Sequence, residues 1–162
     1  FNQPMALIKG VNRIQGIIVE KGNPENINTV KDLVGKSYIN RQRGAGTRVL
    51  LDYLLKKENI DPQSIKGYDR ESATHMAVAA AIAGKSADAG MGILSAAKAM
   101  NLDFVPVGNE EYDFAIPVKY LDLPHVQKFI EVLKSDVFKA KLEELGGYSA
   151  DNIGKIVYID EE

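Results

Sequence analysis

Asn40-Arg41-Gln42-Arg43-Gly44-Ala45-Gly46-Thr47-Arg48 lies between a strand-like run ending at Ile39 and an apolar run starting at Val49. It holds two glycines, one threonine and three arginines, and no acid. That is the composition of a strand-to-helix turn able to hold something negative. The first N–H groups of a helix lack intrahelical partners, and the helix dipole favours negative charge there. Gly44 and Gly46 let backbone approach a ligand without a Cβ in the way. Thr47 adds a hydroxyl that donates to an oxyanion or caps the helix. Arg43, Gly44, Ala45, Gly46 and Thr47 are therefore expected to form an anion cradle. The plainer alternative is a glycine-rich turn that only starts a helix.

Arg41, Arg43 and Arg48 could all approach an anion, although at least one of the three is expected to be a solvated surface residue. Arg48 falls in the first helical turn, where a cation costs roughly 0.3–1 kcal/mol, so it calls for a stabilising partner elsewhere. The cradle is not a Walker loop, because it lacks the Gly-Lys-Ser/Thr ending. Gly35-Lys36-Ser37 and Gly84-Lys85-Ser86 occur elsewhere, but Val30 and Ala79 stand where that motif needs its leading glycine. The dinucleotide fingerprint fails at the cradle too, with Val49 at its third glycine position.

Outward from the cradle, strands and helices alternate. Gly16 to Glu20 and Ser37 to Ile39 read as strands, and Thr29 to Leu33 as a short helical turn. Residues 1–12 show no clear period and receive no assignment. Leu50, Leu51, Leu54 and Leu55 mark a helix from Thr47 to Asn59. Ile65 to Tyr68 is a short strand candidate. Ser72 or Thr74 caps a helix to Ala83 that is apolar all round and expected to be buried. A strand over Ala87 to Met91 and a helix over Leu94 to Met100 follow. Phe104 to Val107 and Phe114 to Pro117 read as two strands joined by the polar link Gly108-Asn109-Glu110-Glu111. Asp122 and Pro124 open one helix, Ser135 caps a second that Gly146-Gly147 stops, and Ile153 to Ile159 is expected as a last strand. The class is α/β with a largely parallel sheet, which places helix N-termini at the carboxyl ends of strands, where such sheets bind ligands.

Ser72 and Thr74 open the second helix within Asp69-Arg70-Glu71-Ser72-Ala73-Thr74-His75. Each reads as a helix cap. The functional reading has this helix start facing the cradle across a pocket, with both residues as ligand-binding. No metal is expected at His75, since cysteine is absent and no spaced acid–histidine pattern lies nearby. No Gly-x-Ser-x-Gly elbow or His-Glu-x-x-His motif occurs. The expectation is a binding domain rather than an enzyme, with no catalytic residues and no cofactor.

The 162 residues are 45% hydrophobic and 26% charged, enough for one domain or two small lobes with a sizeable core. A net charge of −2 argues against nonspecific nucleic-acid contact by this segment. No apolar run reaches membrane-spanning length. The absence of cysteine excludes disulfides and suits either the cytoplasm or an exported compartment. The chain begins at Phe1, which predicts a processed, trimmed or excised piece whose missing signal peptide says nothing of the parent's address.

Gln15-Gly16-Ile17-Ile18-Val19, Gly22-Asn23-Pro24 and the string Asn40 to Tyr53 together resemble the periplasmic-binding-protein-like domain associated with molybdate and tungstate handling and molybdopterin biosynthesis. The likeness continues through Gly67 to Glu71, Thr74-His75, Ala77 to Ala80, Ala87 to Gly92 and Leu145 to Tyr148. More distantly, the chain is similar to the effector domains of LysR-type regulators. The resemblance implies a type II solute-binding fold: two α/β lobes joined by two crossing strands, with ligand in the cleft. The crossings are expected at Gly16 to Lys21 and Tyr112 to Pro117. Residues 22–111 would be a complete second lobe, and 1–21 with 112–162 a partial first lobe with the hinge strands. The resemblance also implies that part of the first lobe is missing before Phe1. Apolar surface over 120–160 would then be left to seek a partner, such as a second copy.

Three functions follow from the likeness. One is a module that binds a small oxyanion, molybdate or tungstate, by hinge closure. The second is the effector-sensing domain of a LysR-like transcription regulator. The third is an accessory domain of a molybdopterin-biosynthesis enzyme. Asp69 bears on the choice, because a carboxylate pointing into the pocket repels a dianion and favours a protonated or amine-bearing ligand.

Overall fold

The computed structural model describes residues 3–159, so residues 1–2 and 160–162 of the expected first lobe lie outside the described residues. In chain order the elements are β1 (Met5–Val19), β2 (Asn40–Arg41), α1 (Gly46–Lys57), β3 (Glu71–Ser72), α2 (His75–Ala83) and β4 (Ala89–Ile93). Then come α3 (Leu94–Ala99), β5 (Asp103–Pro117), α4 (Pro124–Leu133), α5 (Asp136–Leu145), β6 (Tyr148–Ser149) and β7 (Ile156–Ile159). Two compact units result, one from 14–109 and one from residues up to Arg13 together with those from Glu110 onward. The changeovers fall at Arg13–Ile14 and Asn109–Glu110, earlier in the chain than the expected boundaries at Lys21 and Glu111.

In the 14–109 unit, alternate side chains of β1 enter different cores, as a pleated strand requires. Ile17 and Val19 pack with Leu33, Tyr38, Leu51 and Leu55 on the α1 face. Ile18 packs with Val78, Ala79, Ile82, Ala96 and Ala97 on the α2 and α3 face. The unit is thus a sheet covered on both sides. The expected parallel sheet is only part of it. Ser37 bridges Lys66 and Tyr38 bridges Ala89 in parallel, and β2 runs parallel to β3 with Asn40 opposite Glu71. β1, however, pairs antiparallel with β4, Ile17 opposite Met91. A mixed sheet arises because β1 enters from the other unit instead of through a βα crossover. Tyr38 is fully buried, its hydroxyl accepts from the Met91 N–H at 3.1 Å, and burial raises its phenol pKa above the ordinary value.

α2 corrects a second expectation. Val78, Ala79 and Ile82 are buried, but Met76, Ala77, Ala80 and Ala83 are exposed. A helix apolar on every side carries no amphipathic signal to say which face is covered.

Two strand readings also change. β1 begins at Met5, inside the unassigned region, and β5 is one continuous strand where two strands and a link were expected. The polar residues of that link are held laterally. Arg13 donates to Glu110 at 2.9 Å, and Lys9 pairs with Asp113 at 2.9 Å and Glu111 at 3.5 Å. Pro106 is tolerated because β5 ends the strand order β4-β1-β5 and need not donate on its outer side. In the unit made of residues up to Arg13 and from Glu110 onward, Ala6, Ile8, Leu121, Val126, Ile130 and Leu133 form a third core. β7 pairs antiparallel with β1, Met5 opposite Ile159. All four β7 residues remain exposed, as do Phe129 and Val137.

Candidate functional site

β2 and β3 run side by side and each leads toward a helix, so the starts of α1 and α2 lie at the carboxyl ends of neighbouring parallel strands. After β2, Gly44 adopts φ 87°, which L side chains rarely take, and a Cβ built there would meet nothing within 4 Å. α1 then starts at Gly46, one residue before the expected Thr47, with Ala45 as an extended N-cap and no side-chain cap. Thr47 sits inside the helix and is only 2% exposed, so its hydroxyl does not cap α1. The first N–H groups, on Gly46, Thr47 and Arg48, are left without a capping side chain.

α2 is built differently. Thr74 is its N-cap, and the side chain accepts from the Ala77 N–H at 3.0 Å. That bond uses one lone pair, and the hydroxyl proton remains available for donation. Ser72 is the last residue of β3 and is not the cap; its carbonyl accepts from the Gln42 N–H at 3.1 Å. Arg43 is the outermost of the predicted residues. Its side chain is 84% exposed, with Nε 3.9 Å from Glu71 Oε1.

Arg48 and Arg41, both absent from the predicted ligand set, organise the region. Arg48 is 4% exposed and donates from Nη1 to Glu71 Oε1 at 2.7 Å and to the Arg41 carbonyl at 3.2 Å. Glu71 is thus the partner that its adverse place in the first turn called for. Its guanidinium lies 4.9 Å from the centroid of the Tyr68 ring. Arg48 Nε stands 3.9 Å from Asp52, too far for a hydrogen bond. Burial works to lower the Arg48 pKa, but Tyr68, Glu71 and Asp52 outweigh it and hold the guanidinium charged. The Tyr68 hydroxyl donates to Asp52, and burial followed by that bond raises the Tyr68 pKa.

Arg41 reaches the other way. Nε donates to the Ser72 carbonyl at 3.3 Å and Nη2 to the Ala73 carbonyl at 3.1 Å, while Nη1 lies 3.0 Å from His75 Nδ1. A guanidinium has only donors, so His75 Nδ1 accepts and the ring proton sits on Nε2. Beside the cradle is a cleft of about 350 Å³ lined by Arg43, Gly44, Arg48, Asp52, Gln63 and Asp69 among others. It carries two cations and two acids. Among the described residues, no group of three or more His, Asp or Glu could hold a metal ion. No described helix is long and apolar enough to cross a membrane.

The chain is 38% identical over 157 residues to the uncharacterized protein YvgK of Bacillus subtilis (strain 168), covering 96% of this chain and 50% of that protein. It therefore spans about half the length of that curated relative. Among solved structures it resembles the regulatory domain of MetR, a LysR family regulator from N. meningitidis. The TM-score is 0.65 at 14% identity, over 92% of this chain and 72% of that one. It also resembles a mutant of ArgBP from T. maritima, with TM-score 0.59 at 19% identity, over 86% and 62% of the two chains. These likenesses establish an α/β fold of the type II periplasmic-binding-protein kind. The model for the family described as PBP superfamily domain matches residues 1–134. The chain belongs to the PBP superfamily domain family.

Proposed function

We propose that this chain is a non-catalytic ligand-binding domain that takes a small oxyanion, molybdate or tungstate, at the start of α1. The observation that carries this reading is the uncapped N-terminus of α1 behind the open, positive-φ turn at Gly44. An anion there would accept from the amides of Gly46, Thr47 and Arg48. Thr74 and Arg43 would contribute from α2 and from the loop. Molybdate and tungstate enter through the sequence resemblance alone. Ligand-linked closure about β1 and β5, the two strands that run from one unit into the other, goes with this reading.

The balanced charge of the neighbouring cleft favours a second reading, an amino acid or other zwitterion. Its anionic end would lie near Arg43 and its ammonium near Asp52 or Asp69. Either ligand suits a solute-binding module. Both also suit the effector domain of a LysR-like regulator, which the MetR likeness favours, or an accessory domain of a molybdopterin-biosynthesis enzyme. A homodimer through the exposed apolar surface of the terminal helices and β7 belongs to the same proposal. A monomer by sedimentation at high concentration refutes it.

Calorimetry on the full-length protein with molybdate, tungstate, sulfate, phosphate and L-arginine tests the reading. Binding of an oxyanion in preference to L-arginine supports it, and binding of L-arginine alone shifts it to the zwitterion. Binding of none of the five overturns both.

A further inference from the structure

We infer that Arg41 is a positioning residue: it straps the first turn of α1 to the entry of α2, so that the two helix starts hold a fixed spacing. Its main chain faces one helix and its side chain the other. The Arg41 carbonyl accepts from Arg48 Nη1, inside the first turn of α1, at 3.2 Å. Its guanidinium spans three acceptors on the approach to α2: the Ser72 carbonyl at 3.3 Å, the Ala73 carbonyl at 3.1 Å and His75 Nδ1 at 3.0 Å. Ser72 closes β3 and His75 is the first residue of α2, so the fork grips the whole β3–α2 turn. Arg48 adds a parallel tie through Glu71, which stands opposite Asn40 in the β2–β3 pair.

The chemistry needs a guanidinium. Three acceptors in different directions match a planar fork with five donors, whereas an ammonium on a flexible stem serves a single point. The β2–β3 pair has only two residues in each strand, so side-chain ties add to a short backbone ladder at the helix starts. The inference rests on the reading that both helix starts serve the ligand, but its structural part can be measured without one.

The test uses the full chain, labelled with 15N, as wild type, Arg41→Gln and Arg41→Lys. The chain has two histidines, so His125 in α4 is an internal control for His75. In the wild type the His75 ring nitrogens should show the single Nε2–H form. Both variants should move His75 towards the ordinary tautomer mixture. They should also speed amide exchange at Ala77 and Val78 by about tenfold, the loss of roughly one net hydrogen bond, with His125 unchanged. Affinity for whichever of molybdate, tungstate, sulfate, phosphate or L-arginine the wild type binds should fall by about tenfold or more. Arg41→Lys keeps the cation and carries the test if Arg41→Gln does not fold. Unchanged His75 shifts and exchange rates in the variants overturn the strap. Changed shifts with unchanged affinity overturn its positioning role. If the wild type binds none of the five probes, the proposed function fails, while the tautomer and exchange readings still decide whether Arg41 ties the helix starts together.

Discussion

Arg48 and Glu71 should be energetically coupled, and the coupling should survive salt. Arg48 is 4% exposed, and its Nη1 lies 2.7 Å from Glu71 Oε1, a length typical of a charge-assisted bond. A hydrogen bond to a charged group contributes about 1.5–3 kcal/mol, and a pair at the open surface about 0.2–1 kcal/mol. Glu71 is 43% exposed, so water competes at one end only, and an intermediate coupling of about 1–2 kcal/mol follows. Arg48→Met keeps the stem packed and removes the guanidinium, together with about 0.5–2 kcal/mol of attraction to the Tyr68 face. Glu71→Gln keeps a hydrogen-bond acceptor but leaves a buried cation whose remaining ion-pair partner among the described residues is Asp52, 3.9 Å away. The assay is a double-mutant cycle by urea unfolding, repeated in 0.5 M salt. The exposed pair Lys128–Glu131, with side chains 70% and 72% exposed, serves as the reference. The reference coupling should vanish in salt, and the Arg48–Glu71 coupling should not. A coupling below about 0.5 kcal/mol, the size of ordinary non-additivity, would refute the reasoning.

Thr74→Ala should cost about 1 kcal/mol through loss of the α2 cap, with hydrogen exchange quickening first at Ala77. Gly16→Ala and Gly44→Ala should separate two kinds of glycine. A Cβ at Gly16 would come 2.4 Å from the Val105 carbonyl oxygen, so chemical denaturation should show a loss of about 3 kcal/mol. At Gly44 the space is open and only the positive φ is strained, for about 1–2 kcal/mol. Burial raises the Tyr38 phenol in the folded state, so its contribution is fully present below the ordinary value of 10.0 and is lost as pH rises beyond it. The urea midpoint of the wild type should therefore fall more steeply above pH 10 than that of Tyr38→Phe, whose stability should be lower but flatter with pH.

Where one buried face meets one exposed face, the fold was legible from the residues alone. α1, α4 and α5 carry that pattern, and Ser135 caps α5 as its spacing implies, accepting from the Phe138 N–H. β1 and β5 escaped because they leave one unit and enter the other. Val11 to Ile14 are half-buried, and Glu110, Glu111 and Asp113 lie among the strand residues, so neither an alternating pattern nor an apolar run marks them. The cradle loop was legible as a helix start from Gly44 and Gly46. Its details were not, because threonine is a preferred cap and Thr47 drew that role, whereas the helix begins at Gly46 without one. Arg48 carried a usable signal, a cation against the dipole, that pointed to an acid elsewhere. Nothing along the chain identified Glu71 as that acid or Arg41 as a fork, since both roles depend on a two-residue parallel pairing between segments some thirty positions apart.

The division of β1 between two units has a consequence for synthesis on the ribosome. The 14–109 unit is contiguous, so every partner it needs has been made once Asn109 has emerged. The other unit is built from two separated segments: Ala6 and Ile8 meet Leu121, Val126, Ile130 and Leu133 first, and Met5 to Ile8 gain their last strand partner only when Ile156 to Ile159 arrive. Pairing across so much intervening chain is slow, because the entropy of loop closure must be met before the contacts form. The early half of β1, an apolar strand, is therefore translated long before β7 and has one edge left open in the interval. That waiting interval is where a chaperone or a premature association would act on this protein.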